Sequence, residues 1–226
     1  MSFNKDTVPL VKIKTGTWGN VEITGNENYF FLNHSGSVWH QYTIPNMREY
    51  SEQWSSYDLA YGDVLLTGFG FGQIATWLAS KPEVKSITVI EVSQDVVDAF
   101  LESNTMPDNV TVVITDANTF NTDKKYDCVI FDHIPNGSFE ASFYKELVTI
   151  GKRFSHDLFW FWSIEHYYIQ FYYGITEKHI KIYNIDYSQF DFGRSWEKLR
   201  FVLDMPTIPS LPKSKIDSYI NSYLLI

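Results

Sequence analysis

The chain has 226 residues, of which 44% are hydrophobic, and a formal net charge of −9. This length suits one α/β domain with an extension or two small domains, and the hydrophobic share argues against disorder. The acidic charge argues against a nucleic-acid partner, because binding to phosphates requires a basic face.

Residues 1–60 are predicted to form a small β-rich region followed by a connecting helix. Apolar and polar side chains alternate over residues 11–14 and 21–24, and short segments rich in glycine, asparagine and serine separate these runs. This pattern is typical of short antiparallel strands. Residues 45–61 then place aromatic and methionine side chains at helical spacing, which predicts a helix packed on the core.

Residues 61–226 are predicted to form an α/β domain. Short apolar runs alternate with helical patterns, which indicates a doubly wound, mostly parallel sheet. The predicted strands are 63–67, 86–92, 110–115, 126–132 and 157–163, and the predicted helices are 73–80, 94–103 and 138–150. The aromatic segment 165–205 could complete the sheet, and residues 213–226 are predicted to form a terminal amphipathic helix.

Three glycines at alternate positions, Gly68, Gly70 and Gly72, follow the first strand of this unit. Glycine can adopt positive φ and lets a ligand approach the backbone without meeting a Cβ. The second strand carries Glu91 near its carboxyl end, where a carboxylate can accept both hydroxyls of a ribose. Together these features predict a nucleoside-containing cofactor. The alternative is a glycine-rich turn without a ligand.

The spacing of the glycines bears on the kind of cofactor. A dinucleotide fingerprint would require a third glycine at position 73, which is Gln73, and the phosphate-binding loop motif is absent.

The third strand is followed by Asp116 and Ala117, where an acid can accept a hydrogen bond from an adenine amino group and a small residue leaves room for the ring. An ordinary aspartate between strand and loop is the alternative for Asp116.

Asp132 and His133 follow the fourth strand and are the candidate catalytic residues. The Asp132 carboxylate could hold an ammonium group or help to remove its proton. His133 is expected to be the only imidazole near the site and to titrate near neutral pH. The alternative for His133 is a loop residue that caps the turn before Pro135. We expect no metal site, because the histidines do not have the spacing of metal ligands.

The stretch from Asp63 to Ser93 resembles the first motif of the class I S-adenosylmethionine-dependent transferases, and Glu91 matches the acidic ribose ligand of that family. The runs 82–100, 126–132 and 137–148 are similar to the spermidine synthase branch, which also carries a small β-rich N-terminal domain. The resemblance implies a class I methyltransferase-like Rossmann fold. It implies S-adenosylmethionine or decarboxylated S-adenosylmethionine as the cofactor, with Asp116 and Ala117 at the adenine.

Three functions follow from these observations. The first is methyl transfer from S-adenosylmethionine to a small-molecule acceptor, and a cationic amine is one option for that acceptor. The second is aminopropyl transfer to a diamine, although the run from Asp132 to Pro135 lacks the second aspartate by which the synthases help to bind the polyamine. The third is a non-catalytic binding module, because the fold alone does not determine the function.

The remaining patterns concern the compartment and the partners. The single cysteine, Cys128, lies in an apolar run, excludes an internal disulfide and fits a reducing compartment. The N-terminus lacks the pattern of a secretory signal, and no apolar stretch approaches the roughly 18 residues that span a bilayer. We therefore expect a cytoplasmic protein without membrane contact, for which a homodimer is one option.

Overall fold

The computed structural model of the protein describes residues 8–43, 50, 53–133 and 149–162. Within this part of the chain the elements form an antiparallel sheet, a parallel sheet and three helices. The antiparallel sheet contains β1 (Gly16–Trp18), β2 (Val21–Gly25), β3 (Tyr29–His34) and β4 (Ser37–Thr43). The parallel sheet contains β5 (Gly62–Thr67), β6 (Val84–Glu91), β7 (Val110–Ile114), β8 (Tyr126–Phe131) and β9 (His156–Phe161). The helices are α1 (Trp54–Leu59), α2 (Gln73–Ala79) and α3 (Gln94–Leu101).

The antiparallel sheet has the order β1-β2-β3-β4, and each strand pairs with the next along the chain. Val21 and Ile23 of β2 are buried and the residue between them is exposed, as expected when one face of a sheet covers the core. The predicted strand at 11–14 is wrong. The backbone of Lys12 instead exchanges hydrogen bonds of 2.9 and 2.8 Å with the Asn104 side chain, so this segment is bound to the chain after α3.

The antiparallel sheet is fastened to α3 by polar contacts. The backbone N–H of Asn20 donates to Asp95 Oδ2 across 2.8 Å, and Trp18 Nε1 donates to Glu102 Oε2 across 2.9 Å. The Lys14 ammonium also pairs with Glu102. Because α3 directly follows β6, these contacts place the antiparallel sheet beside the carboxyl end of β6.

The parallel sheet has the order β7-β6-β5-β8-β9. The chain runs outward from β5 through β6 to β7, then crosses to β8 on the other side of β5 and continues to β9. This order makes the sheet doubly wound and places its topological switch point between β5 and β8, where ligands bind in such sheets. The central strands are continuous apolar runs with buried side chains, as a sheet covered on both faces requires.

The α/β fold class and the β-rich N-terminal region predicted from the sequence are confirmed, and the described strands and helices of the α/β unit end within two residues of their predicted limits. Most of the predicted helix at 138–150, the segment 165–205 and the helix at 213–226 lie outside the described residues. The domain boundary after residue 60 stays a prediction. None of the helices in the described part of the chain has the length and apolar character that crossing a membrane requires.

Candidate active site

The residues predicted as site residues follow or end four adjacent strands of the parallel sheet. Asp116 and Ala117 come after β7, Glu91 ends β6, the glycines follow β5, and Asp132 and His133 follow β8. Because the strands are parallel and adjacent in that order, all of these residues lie along one carboxyl edge of the sheet. The fold thus brings together groups that are up to 65 residues apart in the sequence. Their roles in binding and catalysis stay predictions.

The three glycines of the loop all have positive φ, at 83° for Gly68, 53° for Gly70 and 76° for Gly72. Each also lies against another part of the protein. A Cβ at Gly68 would lie 2.7 Å from the Asp132 carbonyl oxygen, and one at Gly70 would lie 2.8 Å from His40 Nδ1. At Gly72 it would lie 2.6 Å from the Phe100 ring. Packing within the protein therefore requires these glycines, independently of a ligand.

Glu91 joins the end of β6 to the glycine loop. Its Oε2 accepts the backbone N–H of Phe69 at 2.8 Å and its Oε1 accepts that of Ser93 at 2.9 Å. The residue is 6% exposed. Burial raises the pKa of the Glu91 carboxyl above its usual value, although the N–H groups of Ser93 and Phe69 act in the opposite direction. The N–H group of Val92 acts in the same direction as these two, and the acceptor capacity that the carboxylate keeps can bind a ligand hydroxyl.

The loop after β7 is held in place from the segment that precedes β9. Asp116 is exposed, and its Oδ1 accepts the backbone N–H of Asn118 at 2.8 Å, which closes an Asx turn. Ala117 is buried. The Arg153 guanidinium donates to the carbonyl oxygens of Asn118 at 2.6 Å and Ala117 at 3.0 Å. The sequence carried no signal for Arg153, because this contact spans 36 residues of chain.

Asp132 contacts a residue that the sequence did not single out. Its Oδ1 accepts a hydrogen bond of 2.5 Å from Nε2 of Gln53, which is 1% exposed and directly precedes α1. The Asp132 backbone N–H donates to the Thr67 carbonyl oxygen at 2.9 Å, and this bond continues the pairing of β8 with β5. Asp132 is therefore anchored to the sheet through its backbone and to Gln53, beside the connecting helix, through its carboxylate.

His133 does not titrate near neutral pH, so that prediction is wrong. Burial lowers the pKa of the imidazole to about 4, and the charge of Asp116 only partly opposes this shift. The ring nitrogen Nδ1 lies 2.6 Å from the Thr67 hydroxyl. At pH 7 His133 is a neutral ring held by a hydrogen bond, so it can accept or donate a hydrogen bond but carries no charge.

The prediction that His133 is the only imidazole near the site is also wrong. His40 of β4 lies against Gly70 and packs edge to face on the Phe71 ring, with 5.0 Å between ring centroids. The charge of His34, at the end of β3, acts on the Glu91 carboxyl. The β3–β4 hairpin is thus a neighbour of the site. No local pattern could reveal it, because its position depends on how the two sheets dock.

Aromatic and apolar groups around the loop fall into two classes. Phe69 and Phe71 of the loop are buried, and the Phe69 ring packs on Phe100 at 5.1 Å between ring centroids. Val92, which follows Glu91, and Ile114, which pairs with Glu91 across the sheet, instead expose large parts of their side chains.

Two other predictions concern chemistry away from the carboxyl edge. Cys128 is fully buried, and burial raises the pKa of its thiol to about 12, so it is a small core residue and not a nucleophile. In the part of the chain that the structure describes, no three His, Cys, Asp or Glu side chains are arranged to hold a metal ion.

Neither a protein-family model nor a curated protein sequence matches the chain. Solved structures that are similar to this chain include spermidine synthases and methyltransferases. The spermidine synthase of Thermotoga maritima is 15% identical with a TM-score of 0.45, and the match covers 64% of this chain and 53% of that one. The N-methyltransferase NodS of Bradyrhizobium japonicum, in complex with S-adenosyl-L-homocysteine, is 20% identical with a TM-score of 0.40, and the match covers 51% of this chain and 61% of that one.

A putative RNA methyltransferase from Pyrococcus horikoshii is 23% identical with a TM-score of 0.41, and the match covers 53% of this chain and 60% of that one. The chain thus spans between about half and three fifths of the length of these three proteins. At these identities the likeness concerns the fold.

Proposed function

We propose that the protein is an S-adenosylmethionine-dependent transferase that moves a methyl group to a small-molecule acceptor. The observation that carries this proposal is the buried Glu91 carboxylate, which is hydrogen-bonded to the glycine loop beside the switch point of the sheet. Groups suited to an adenine lie on one side of Glu91, and groups suited to an amine lie on the other.

The order of the strands supports an extended nucleoside along this edge. From β7 to β8 the edge presents Asp116 with Ala117, then Glu91, then the loop, then Asp132. Neighbouring strands are about 4.8 Å apart, so these positions span roughly 14 Å. That length suits an adenosine with an attached amino-acid chain, and the exposed apolar side chains of Val92 and Ile114 beside Glu91 suit contact with its purine.

Each residue has a separate task in this proposal. Glu91 accepts hydrogen bonds from the ribose hydroxyls, and Asp116 accepts one from the adenine amino group. Asp132, held by Gln53, orients the acceptor amine and takes up its proton. His133, neutral at pH 7, offers a hydrogen bond beside Asp132.

The cofactor, when bound, supplies an electrophilic carbon on a sulfonium. The sulfonium would also supply the leaving group, and Asp132 would take up the proton that the acceptor loses. The contribution of the protein is mainly the positioning of the two reactants and the exclusion of water.

Aminopropyl transfer is the second candidate. The acidic character of the edge favours it, because Glu91, Asp116 and Asp132 are all carboxylates and a diamine carries two positive charges. The run from Asp132 to Pro135 counts against it, because the second aspartate of the synthases is missing there.

Calorimetric titration of the full chain separates these candidates. The ligands are S-adenosylmethionine, its decarboxylated form, methylthioadenosine and NAD. We expect S-adenosylmethionine and methylthioadenosine to bind and NAD to fail. Tighter binding of the decarboxylated form would favour aminopropyl transfer. Failure of every adenosine compound would refute the proposal, and binding without transfer to any amine of a panel would favour a non-catalytic module.

A further inference from the structure

Gln73 carries a buried side-chain amide without a hydrogen-bond partner among the residues that the structure describes. The residue is 1% exposed, and both Nε2 and Oε1 are unsatisfied. Buried polar groups in proteins are nearly always paired, because an unpaired one costs free energy. An amide with a donor and an acceptor both unused therefore suggests that something else binds it.

The position of Gln73 shows where such a ligand would lie. Gln73 directly follows Gly72 and is the first residue of α2. It therefore stands at the carboxyl edge of β5, between the strand that ends in Glu91 and the strand that leads to Asp132. It is also the position at which the chain departs from the dinucleotide fingerprint, in which a glycine would carry no side chain.

The charges along the edge define the chemistry of that ligand. Glu91, Asp116 and Asp132 all carry carboxyl groups, and His133 is neutral at pH 7. A negatively charged ligand group at this edge would need neutral donors, and the amide Nε2 supplies two N–H groups. The amide Oε1 supplies two lone pairs for a positively charged group.

We propose that the Gln73 amide binds the α-amino-acid end of the cofactor, with Nε2 donating to its carboxylate and Oε1 accepting from its ammonium group. One zwitterion satisfies both unpaired atoms, whereas a decarboxylated cofactor satisfies only the acceptor. Gln73 therefore selects the carboxylated cofactor, which is the methyl donor. This inference rests on the proposed function and specifies which form of the cofactor the site accepts.

The test compares two ligands that share the nucleoside and sulfur but differ at the amino-acid end, S-adenosylhomocysteine and methylthioadenosine. Gln73→Met removes the amide at similar size. Gln94→Met is the matched control, because Gln94 is also the first residue of a helix, but it is exposed and its Nε2 is bound to Asp98. Calorimetry gives the dissociation constants, and thermal unfolding without ligand gives the melting temperature.

We expect Gln73→Met to weaken S-adenosylhomocysteine by about tenfold or more and methylthioadenosine by less than about twofold. Its melting temperature without ligand should equal or exceed that of the wild type, since the variant no longer buries an unpaired amide. Unchanged affinity for S-adenosylhomocysteine, or equal losses for both ligands with a lower melting temperature, would overturn the inference and assign the amide to a buried water or to packing.

Gln73→Glu is a second variant, which tests the same role of Gln73 if the Gln73→Met protein does not fold. It keeps the size and one acceptor but repels a carboxylate, so S-adenosylhomocysteine should lose more affinity than methylthioadenosine. Equal losses of affinity for the two ligands, each measured against the wild type, would overturn the inference. If the wild type binds both ligands and the variants bind each of them with wild-type affinity, only the role of Gln73 is refuted. A wild-type protein that binds neither refutes the proposed function and this inference with it.

Discussion

The carboxylate of Glu91 accepts the backbone N–H of Phe69 at 2.8 Å, so the end of β6 holds the loop that follows β5. The second oxygen of the same carboxylate accepts the N–H of Ser93. The residue that the sequence suggests as a ribose ligand is therefore also a structural link between the end of β6 and the loop that follows β5. Substitutions at Glu91 should affect both functions.

Glu91→Ala is expected to lower the affinity for S-adenosylhomocysteine more than about tenfold, because a charge-assisted hydrogen bond to the ribose is lost. It should also lower the free energy of unfolding by about 1–3 kcal/mol, because buried N–H groups lose their acceptor. Calorimetry and urea unfolding measure the two effects. Glu102→Ala is the control, since Glu102 also accepts two hydrogen bonds but is exposed and follows α3. Wild-type affinity in Glu91→Ala would contradict the ribose assignment.

Gly68→Ala is expected to destabilise the protein more than Gly36→Ala. Both glycines have nearly the same φ, at 83° and 81°, so both variants incur left-handed strain of about 1–2 kcal/mol. A Cβ at Gly36 has no atom within 4 Å, whereas one at Gly68 lies 2.7 Å from the Asp132 backbone oxygen. The clash should add about 1–3 kcal/mol to the loss in urea unfolding. Equal losses in the two variants would show that the loop relaxes freely.

His133 should make the stability depend on pH between about 4 and 6.5. The folded pKa is lowered from 6.5 to about 4, so the unfolded chain binds more protons in this window. The stability that neutral His133 contributes is fully present above pH 6.5 and is lost as the pH falls through about 4. The difference in free energy of unfolding between the wild type and His133→Asn should shrink by up to about 3 kcal/mol over that window. A difference that stays constant from pH 7.5 to 4 would contradict the lowered pKa.

Asp132→Asn is expected to lower turnover by about 10²–10⁴, the usual effect of losing a general base, while the affinity for the cofactor changes much less. Asp127→Asn is the matched control, because Asp127 lies at the opposite end of β8 from Asp132 and accepts the backbone N–H of Asp63. Turnover is measured as the release of S-adenosylhomocysteine with the amine of the panel that proves to be an acceptor. Wild-type turnover would assign Asp132 a structural role, and an equal loss of affinity and turnover would make it a ligand of the cofactor.

The sequence by itself determined the parallel sheet, the glycine loop and the edge at which the site residues gather. These features depend on local patterns. Apolar runs such as 64–66 and 128–131, flanked by turn residues, are typical of central strands, and alternating glycines allow the positive φ values of the loop. The first polar residues after such strands lie at the edge where the strands end. Glu91 and Asp132 could therefore be chosen without coordinates.

Only the tertiary structure decided the contacts and the charge states at that edge. Gln53 and Asp132 are 79 residues apart in the sequence, and His40 reaches Gly70 from another sheet, so no local spacing relates them. The alternation at 11–14 predicted a strand, yet the backbone of Lys12 found its partner in Asn104. The low pKa of His133 depends on burial, which is a property of the packed protein and not of the residues beside it.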